Sequence, residues 1–409
     1  MNSVKTKNMR DDGGRSGWRR CLERAVMAVA LAGMLSIATS ARAAKASDEV
    51  SVADSGSEWS IGGDCAPGHK FERRLITFDN GVAQYGFLYS GCSDPSHGDL
   101  RPSHEGNFGM PLPSPANWYH GGFFFVSINA AEATNRGLRD LQVIERGQRG
   151  AMQIVWTHPD AEVGLRLLML PGVNHVLAEL VLRPKSGAVL KSVVVRLRCY
   201  PSFFTACYHR RGQRHCQTPR IDRREPSTLK IAPDRDTWLY MYDTVFDVAN
   251  GEGDGPCAVA IAPGAVDRGQ VDIGDYAVTT ELTLKPGVNR LRLAFYDFTG
   301  STNAVAAAYM KTHADEDIAR LVRTDFHPRA AQGVDVERVE AEATRLLAAA
   351  GDGGKPLKAR VDELIGRINA AKAKTADDDW KAEGDMANLV ASLEDMLWKL
   401  KIEALLNQP

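Results

Sequence analysis

Residues 192–200 have the sequence Ser-Val-Val-Val-Arg-Leu-Arg-Cys-Tyr, in which apolar and charged side chains alternate. Positions 193, 195, 197 and 199 carry Val, Val, Leu and Cys, whereas Arg196 and Arg198 lie between them. Successive side chains of a β-strand point to opposite faces of its sheet. This segment therefore predicts a strand with one buried face and one polar face.

Similar segments, rich in β-branched and aromatic residues, recur on both sides of this one. Turn-forming pairs such as Pro171-Gly172 and Pro286-Gly287 separate several of them. The predicted strands cover 71–78, 84–90, 122–128, 141–146, 152–157, 163–170, 175–182, 192–200, 238–242, 258–262, 276–284 and 290–297. Many short strands without intervening helices predict a mainly β fold, a large antiparallel β-sandwich. This span exceeds an immunoglobulin-like domain of about 100 residues, which leaves open one large sandwich or two small ones.

The segment Ile61–Tyr309 resembles the β-supersandwich domain of galactose mutarotase-like proteins and of carbohydrate-active proteins that contain it. The resemblance rests on strand density, on Leu170-Pro171-Gly172 leading into His175–Leu182, and on Trp238–Asp247. It implies a supersandwich-like fold and a carbohydrate-related function. The two histidines and the glutamate expected around a sugar in mutarotases have no residue-by-residue match here. Mutarotase activity is therefore not inferred.

The periodicity of the sequence changes after residue 312. Asp315–Val322 predicts a short helix that ends near His327-Pro328. Three further apolar stripes at helical spacing comprise 339, 346 and 347, then 357, 361, 364, 365 and 368, and finally 386, 389, 390, 393, 396, 397, 400 and 405. We therefore predict a β-sandwich domain at 61–312, a helical connector at 313–333 and a C-terminal helical region at 334–409. Its helices could form a small bundle, cover the sandwich or bind a protein partner.

The first 43 residues have the features of an export signal. Arg19-Arg20 precedes an apolar run from Ala25 to Ala38, and Ala41-Arg42-Ala43 follows at cleavage-site spacing. The run is shorter than the roughly 20 residues that a membrane span needs. The sequence thus predicts a signal peptide at 1–43, a flexible linker at 44–60, and an exported protein, periplasmic or secreted, without a membrane span in the mature chain. Twin-arginine export and the general secretion route both remain open.

Charge and cysteine content fit this prediction. Removal of residues 1–43, with 8 basic and 3 acidic side chains, leaves 42 basic and 48 acidic residues, so no nucleic-acid partner is expected. The remaining six cysteines are an even number, which favours disulfides in an oxidising compartment. The preferred disulfide candidates are Cys65 with Cys92, Cys207 with Cys216, and, by elimination, Cys199 with Cys257. Free buried thiols are the alternative.

The segment 91–121 is a long stretch with little strand character, and loops of this length are often functional. Its aromatic and polar side chains are those that bind sugars, because rings cover the C–H face of a sugar and polar groups bind its hydroxyls. The predicted ligand-binding residues are His97, Asp99, His104, Glu105, Asn107, Trp118, Tyr119 and His120. A structural loop held by prolines is the alternative. The spacing of its histidines and carboxylates matches no metal site, so neither a metal nor a cofactor is predicted.

A second candidate segment, 207–216, is rich in arginine. Arg210, Arg211 and Arg214 lie within it, and Arg223 and Arg224 follow soon after. Guanidinium groups bind carboxylates and sulfates well, which predicts an anionic glycan as ligand, although a solvated hairpin would have a similar composition. Asp243 and Asp247 are nearby carboxylates, but the sequence assigns no catalytic acid or base.

These features favour an exported protein that binds carbohydrate or helps to process it, with an anionic glycan as the preferred ligand. Two other functions remain open from the sequence. One is an enzyme, a polysaccharide lyase, epimerase or glycosidase, acting at the same loop. The other is a structural or assembly protein that binds a partner through its C-terminal helices.

Overall fold

The computed structural model describes residues 48–61, 70–92, 107–134, 138–201, 212–245, 255–274, 277–329, 336–372 and 380–406. These ranges form antiparallel β-sheets of nine, six and five strands, followed by a C-terminal helical region. The predicted mainly β fold with C-terminal helices is therefore confirmed.

The nine-stranded sheet is the largest layer. Its strands, in spatial order, are β14 (Asp222–Arg224), β13 (Arg214–Gln217), β16 (Trp238–Asp243), β17 (Cys257–Ile261), β20 (Arg290–Asp297), β11 (His175–Pro184), β10 (Ala161–Met169), β9 (Gly150–Thr157) and β8 (Leu138–Glu145). Strands β10 and β11 are joined at Pro171-Gly172, where Gly172 has a φ of 72° that a side chain would oppose. The predicted turn thus connects two neighbouring antiparallel strands.

The six-stranded sheet contains the segment whose alternation indicated the fold. Its strands, in order, are β15 (Ser227–Ile231), β18 (Val266–Ile273), β19 (Val278–Leu284), β12 (Val193–Cys199), β6 (Phe124–Ile128) and β7 (Ala131–Glu132). Along β12 the side chains alternate between buried and partly exposed. Val195 and Leu197 are almost fully buried and belong to the main core, whereas Arg196 and Arg198 stack on Phe125 at the surface.

The five-stranded sheet lies at the N-terminal side of the chain. It comprises β1 (Ser51–Asp54), β2 (Glu58–Ile61), β3 (Lys70–Asp79), β4 (Gln84–Cys92) and β5 (Asn107–Leu112). The flexible linker predicted at 44–60 is corrected for residues 51–60, because β1 and β2 both pair with β3. Residues 44–47 lie outside the described residues. Val50 also anchors this segment, since its side chain is buried in the main core.

Apolar side chains from all three sheets share one hydrophobic core. Phe108 of β5 packs edge-on against Trp156 of β9, and Phe123 packs edge-on against Phe295 of β20. Strand β9 is buried at nearly every position, unlike β12. The additional burial arises because helices cover the outer face of the nine-stranded sheet.

Helix α1 (Asn303–Arg323) is the first of these helices. It begins twelve residues before the predicted helix 315–322, with the side chain of Thr302 accepting a hydrogen bond from the Val305 amide. Ala306, Met310 and Ala314 lie at four-residue spacing and pack against the outer face of the sheet. Small alanine side chains allow this close approach, and their weak hydrophobicity explains why the sequence pattern underestimated the helix.

Helices α2 (Val336–Lys372) and α3 (Trp380–Leu406) form the C-terminal region. The backbone of α2 is non-helical at Gly351, where φ is 54°, so the two predicted helical segments meet there at a kink. The apolar stripes of α2 and α3 face each other, and α3 also contacts β8 and β9. The helices thus combine a bundle with a cover for the sandwich. Within the described ranges, no helix is long and apolar enough to cross a membrane.

Candidate functional site

Four chain segments meet at one end of the sandwich, which we call the sandwich end and define by Trp118, Tyr200, Asp243 and Asp297. Trp118 forms a β-bridge with Cys199, and the amide of Tyr200 donates to the Ala116 and Asn117 carbonyls at 3.2 Å. The Asn117 side chain donates to Asp297 Oδ1 at 2.9 Å. The described part of segment 91–121 therefore contacts both main sheets.

Six of the predicted ligand-binding residues lie outside the described residues: His97, Asp99, His104, Glu105, Arg210 and Arg211. The same holds for Asp247 and for Cys65 and Cys207. Their predicted roles stay predictions.

Trp118 is a core residue, which corrects its predicted role as a sugar-stacking side chain. It is 1% exposed, and its ring packs edge-on against Phe295 at a centroid distance of 5.1 Å. Its Nε1 donates to the Tyr296 carbonyl at 2.9 Å. The indole thus anchors the segment before β6 to the opposite sheet, and both of its faces are enclosed by protein.

Tyr119, His120 and Asn107 are only partly buried. The Tyr119 ring lies 4.5 Å from that of Tyr200 and 4.6 Å from that of His120, measured between centroids. His120 Nδ1 lies 2.9 Å from the Pro115 carbonyl, which orients its ring. Burial raises the pKa of Tyr200, so its hydroxyl stays protonated near neutral pH. Asn107, Tyr119 and His120 are, apart from Trp118, the residues of the predicted 91–121 site that the structure describes.

Asp243 is a buried carboxylate at the same end. Its Oδ1 accepts the Val245 amide at 2.8 Å, and Gly212 packs so closely that an added Cβ would overlap Oδ1. Its Oδ2 is buried and has no hydrogen-bond partner among the described residues. Such a group is costly to bury, which makes Asp243 the strongest described polar candidate at the sandwich end.

Arg214 does not present its guanidinium to a ligand, contrary to its prediction as an anion-binding residue. It is 1% exposed, and its Nη1 donates to Glu225 Oε2 at 3.1 Å. Its strand partner is Asp243, and both side chains point into the sandwich. The charge of Arg214 is therefore paired with the Glu225 carboxylate of the chain itself.

The next residue, His215, lies on the opposite, outer face of the same strand. It belongs to a surface cluster of which only Arg224 was named from the sequence. We call this cluster the shelf and define it by His215, Asp222, Arg224 and Tyr242. His215 Nδ1 lies 3.0 Å from Asp222 Oδ1, and the Tyr242 hydroxyl donates to Asp222 Oδ2 at 3.0 Å. The imidazole stacks on the Tyr242 ring at 4.8 Å and 23°. Arg224 is the direct strand partner of His215 and is exposed.

Strand pairing explains how the shelf forms. His215 pairs with Arg224 on one side and with Tyr242 on the other, so their side chains share one face. Tyr242 in turn stacks on Tyr240, whose hydroxyl donates to the Asn303 carbonyl at 3.0 Å, at the start of α1. The shelf is therefore supported from below by the outer-face core.

The shelf combines an aromatic stack with donors and acceptors at fixed positions. Burial, and then the acceptor Asp222, raise the pKa of Tyr242, so its hydroxyl remains a hydrogen-bond donor at neutral pH. Asp222 accepts two hydrogen bonds and remains exposed, which leaves acceptor capacity for a ligand hydroxyl. The exposed Arg224 guanidinium adds a fork that suits a carboxylate or a sulfate.

The cysteines of the described core are reduced, which corrects the predicted pairing of Cys199 with Cys257. Cys199, Cys216 and Cys257 are buried and form no disulfide. The Cys199 thiol donates to the Val278 carbonyl at 3.7 Å, and burial together with the neighbouring Cys199 raises the pKa of Cys257. Cys216 likewise lacks the bond predicted with Cys207. In the part of the chain that the structure describes, no three potential ligands are grouped so as to hold a metal ion.

Comparisons with known proteins give no family assignment. No family model matches the chain, and no curated protein matches it significantly. Solved structures with weak similarity include enzymes that act on carbohydrates. They are the α-N-acetylgalactosaminidase NagBb from Bifidobacterium bifidum (8% identity, TM-score 0.35, 64% of this chain and 39% of the other), a putative aldose 1-epimerase from Klebsiella pneumoniae (9%, 0.36, 68% and 97%) and the α-galactosidase AgaA from Geobacillus stearothermophilus (11%, 0.33, 66% and 48%). A TPR-domain containing protein from Parabacteroides distasonis is similar to the same degree (10%, 0.35, 88% and 85%). The chain thus spans less than half of the length of both glycosidases. Similarity of this size defines neither the fold family nor the activity of this chain.

Proposed function

We propose that this protein is an exported carbohydrate-binding protein and that the shelf binds an anionic glycan. The observation that carries the proposal is the fixed geometry of His215, Tyr242 and Asp222, next to the exposed Arg224. Export rests on the N-terminal signal pattern alone.

The shelf offers the groups that a sugar needs. A stacked aromatic pair covers apolar C–H surface, and the carboxylate of Asp222 accepts from hydroxyls. Because the strand register holds these groups in place before a ligand arrives, little ordering is lost on binding. Arg224 favours a uronic acid or a sulfated sugar over a neutral one.

The test begins with a glycan array carrying neutral, uronate-containing and sulfated oligosaccharides. The best ligand is then titrated calorimetrically against wild type, Arg224→Ala and Arg223→Ala. Arg223 is the matched control, because it is exposed on the same strand but pairs with Cys216 and so faces the other side of the sheet. We expect Arg224→Ala to weaken binding about tenfold, or ~1.4 kcal/mol, and Arg223→Ala to change it little. Equal losses in both variants, or binding of neutral sugars alone, would refute the proposed anionic site.

The contact between His215 and Asp222 favours one second candidate, an enzyme that transfers a proton on the bound glycan. A carboxylate that orients an imidazole is a common arrangement for a general base. Incubation with anionic polysaccharides should then release new reducing ends or unsaturated sugars, and His215→Asn should abolish this release while Arg223→Ala retains it. Binding without any product would leave the chain a binding protein.

A further inference from the structure

Helix α3 carries an exposed apolar stripe near its C-terminal end. Trp398 is 66% exposed, Ile402 52%, Leu405 67% and Leu406 74%. Their spacing of three or four residues places them on one side of the helix. The other large apolar side chains that are exposed in the described ranges, Val82, Val189, Val305 and Val322, lie on other parts of the chain. Soluble proteins rarely leave such a contiguous patch uncovered.

The stripe is separate from the face that α3 uses within its own chain. Leu393, Leu397 and Leu400 are buried in the core that α3 shares with α2. These positions lie on the opposite side of the helix from Trp398 and Ile402. The stripe therefore remains after the intrachain contacts of α3 have been made.

The charges along this face indicate which kind of partner binds it. Glu394 and Asp395 come before Trp398 on the exposed side, and Lys399 and Lys401 come after it. Glu394, Asp395 and Lys399 are exposed, and Lys401 Nζ lies 5.5 Å from the Trp398 ring centroid. The face is thus acidic toward the N-terminus and basic toward the C-terminus of the helix.

Such a gradient is self-complementary in an antiparallel arrangement. If two antiparallel copies of α3 meet about a two-fold axis at Trp398, residues on the same flank of each helix come together. Glu394 of each copy then lies beside Lys401 of the other, and Asp395 beside Lys399. The same symmetry places Leu405 over the small side chain of Ala391. An anionic membrane fits the face less well, because its acidic residues would be repelled.

We propose that a second copy of this chain covers the stripe, forming a two-fold symmetric dimer through antiparallel α3 helices. The dimer places two shelves in one particle, which would raise the avidity for a repetitive glycan if the proposed function holds. The dimer itself does not depend on that function.

The decisive experiment is sedimentation velocity of the purified protein over a range of concentrations. We expect wild type to dimerise and Ile402→Glu to remain monomeric at concentrations where wild type is dimeric. Val322→Glu is the matched control, because Val322 is a single exposed apolar residue on α1 and its replacement should leave the dimer intact. Circular dichroism melting confirms that each variant is folded, as expected for exposed positions.

A charge exchange tests the antiparallel arrangement separately. Glu394→Lys alone should weaken dimerisation about tenfold, and the double variant Glu394→Lys, Lys401→Glu should restore it. A wild type that is monomeric at every concentration would overturn the proposal. Flotation of monomers with lipid vesicles would overturn it in favour of a membrane-binding helix. A double variant no better than the single one would overturn the proposed register.

Discussion

Arg166 on β10 donates to Glu383 on α3 at 2.8 Å, and this buried ion pair joins the C-terminal region to the sandwich. The Arg166 guanidinium also lies 4.2 Å from the Trp380 ring, while Gln153 donates to the Trp380 carbonyl at 2.8 Å. His327 Nδ1 lies 3.0 Å from the same Glu383 oxygen. The start of α3 is therefore held by a polar cluster and not only by apolar packing.

Glu383→Gln should destabilise the protein strongly. The substitution leaves Arg166 buried and without its charge partner, although the side-chain volume barely changes. Removal of one partner of a buried ion pair costs about 3–5 kcal/mol. Urea unfolding followed by tryptophan fluorescence measures the loss. Asp362→Asn is the control, because its pair with Lys358 is exposed on α2 and should contribute less than about 0.5 kcal/mol. Equal effects in both variants would contradict a special role for the buried pair.

The His327 contact makes docking of α3 dependent on pH. The hydrogen bond with Glu383 raises the pKa of His327 above its ordinary value of about 6.5. A raised pKa in the folded state means that the stabilisation is fully present below about pH 6.5 and is lost as the pH rises through the folded value. As the pH is raised from about 6 to about 8, the urea midpoint of wild type should thus decrease more than that of His327→Gln. Parallel profiles for the two proteins would contradict this contribution.

His175 should produce the opposite dependence. Burial lowers the pKa of His175 to about 4, although Asp317 lies 3.7 Å away and counteracts this effect. Its Nε2 has no hydrogen-bond partner among the described residues, and its ring lies against Tyr296. The unfolded chain therefore binds more protons between about pH 4 and pH 6.5, so stability is lost as the pH falls through this range.

His175→Phe tests this effect, because phenylalanine keeps the ring contact but cannot bind a proton. Its unfolding free energy should depend less on pH between about pH 4 and pH 6.5 than that of wild type, by up to roughly 3 kcal/mol. Thermal unfolding at a series of pH values measures the difference. An unchanged acid slope would show that other groups control acid denaturation.

The cysteine thiols of the core should be inaccessible to alkylating reagents and should remain reduced. Cys199, Cys216 and Cys257 are almost fully buried and reduced in the structure. We expect alkylating reagent to leave all three unmodified in the native protein and to label them in denaturant without prior reduction. Peptide mass spectrometry identifies the labelled positions. A peptide pair linked through Cys199 and Cys257 would restore the disulfide that the sequence predicted.

Alternation and turn-forming residues in the sequence correctly predicted individual strands and turns. The alternation in 192–200 and the turn at Pro171-Gly172 arise from the geometry of single strands and turns, so β12 and the hairpin of β10 and β11 could be anticipated. Helix α1 was underestimated because two of its first three buried side chains, Ala306 and Ala314, are small and only weakly hydrophobic. The predicted role of Trp118 was wrong, because the sequence Trp-Tyr-His does not show whether its indole is exposed to a ligand or buried in the core.

The shelf could not be predicted from local patterns, because its residues come from three strands. His215 and Gln217 lie two residues apart, as do Asp222 and Arg224, and this spacing places each pair on one face of a strand. Which strands pair, and in which register, is a long-range property that one sequence does not reveal. The ion pair of Arg214 with Glu225 was hidden for the same reason.

Gly384→Ala should weaken docking of α3, although alanine normally favours a helix. A Cβ at Gly384 would lie 2.3 Å from Gln153 Nε2 and 2.4 Å from Gln142 Nε2, so the helix would have to move away from the sheet. Such overpacking typically costs about 1–3 kcal/mol, more than the roughly 1 kcal/mol gained in helix propensity. Gly366→Ala on α2 is the matched control, because nothing lies within 4 Å of its added Cβ, and it should stabilise the protein. Urea unfolding of both variants should therefore give effects of opposite sign, and stabilisation by Gly384→Ala would show that α3 is free to shift on the sheet.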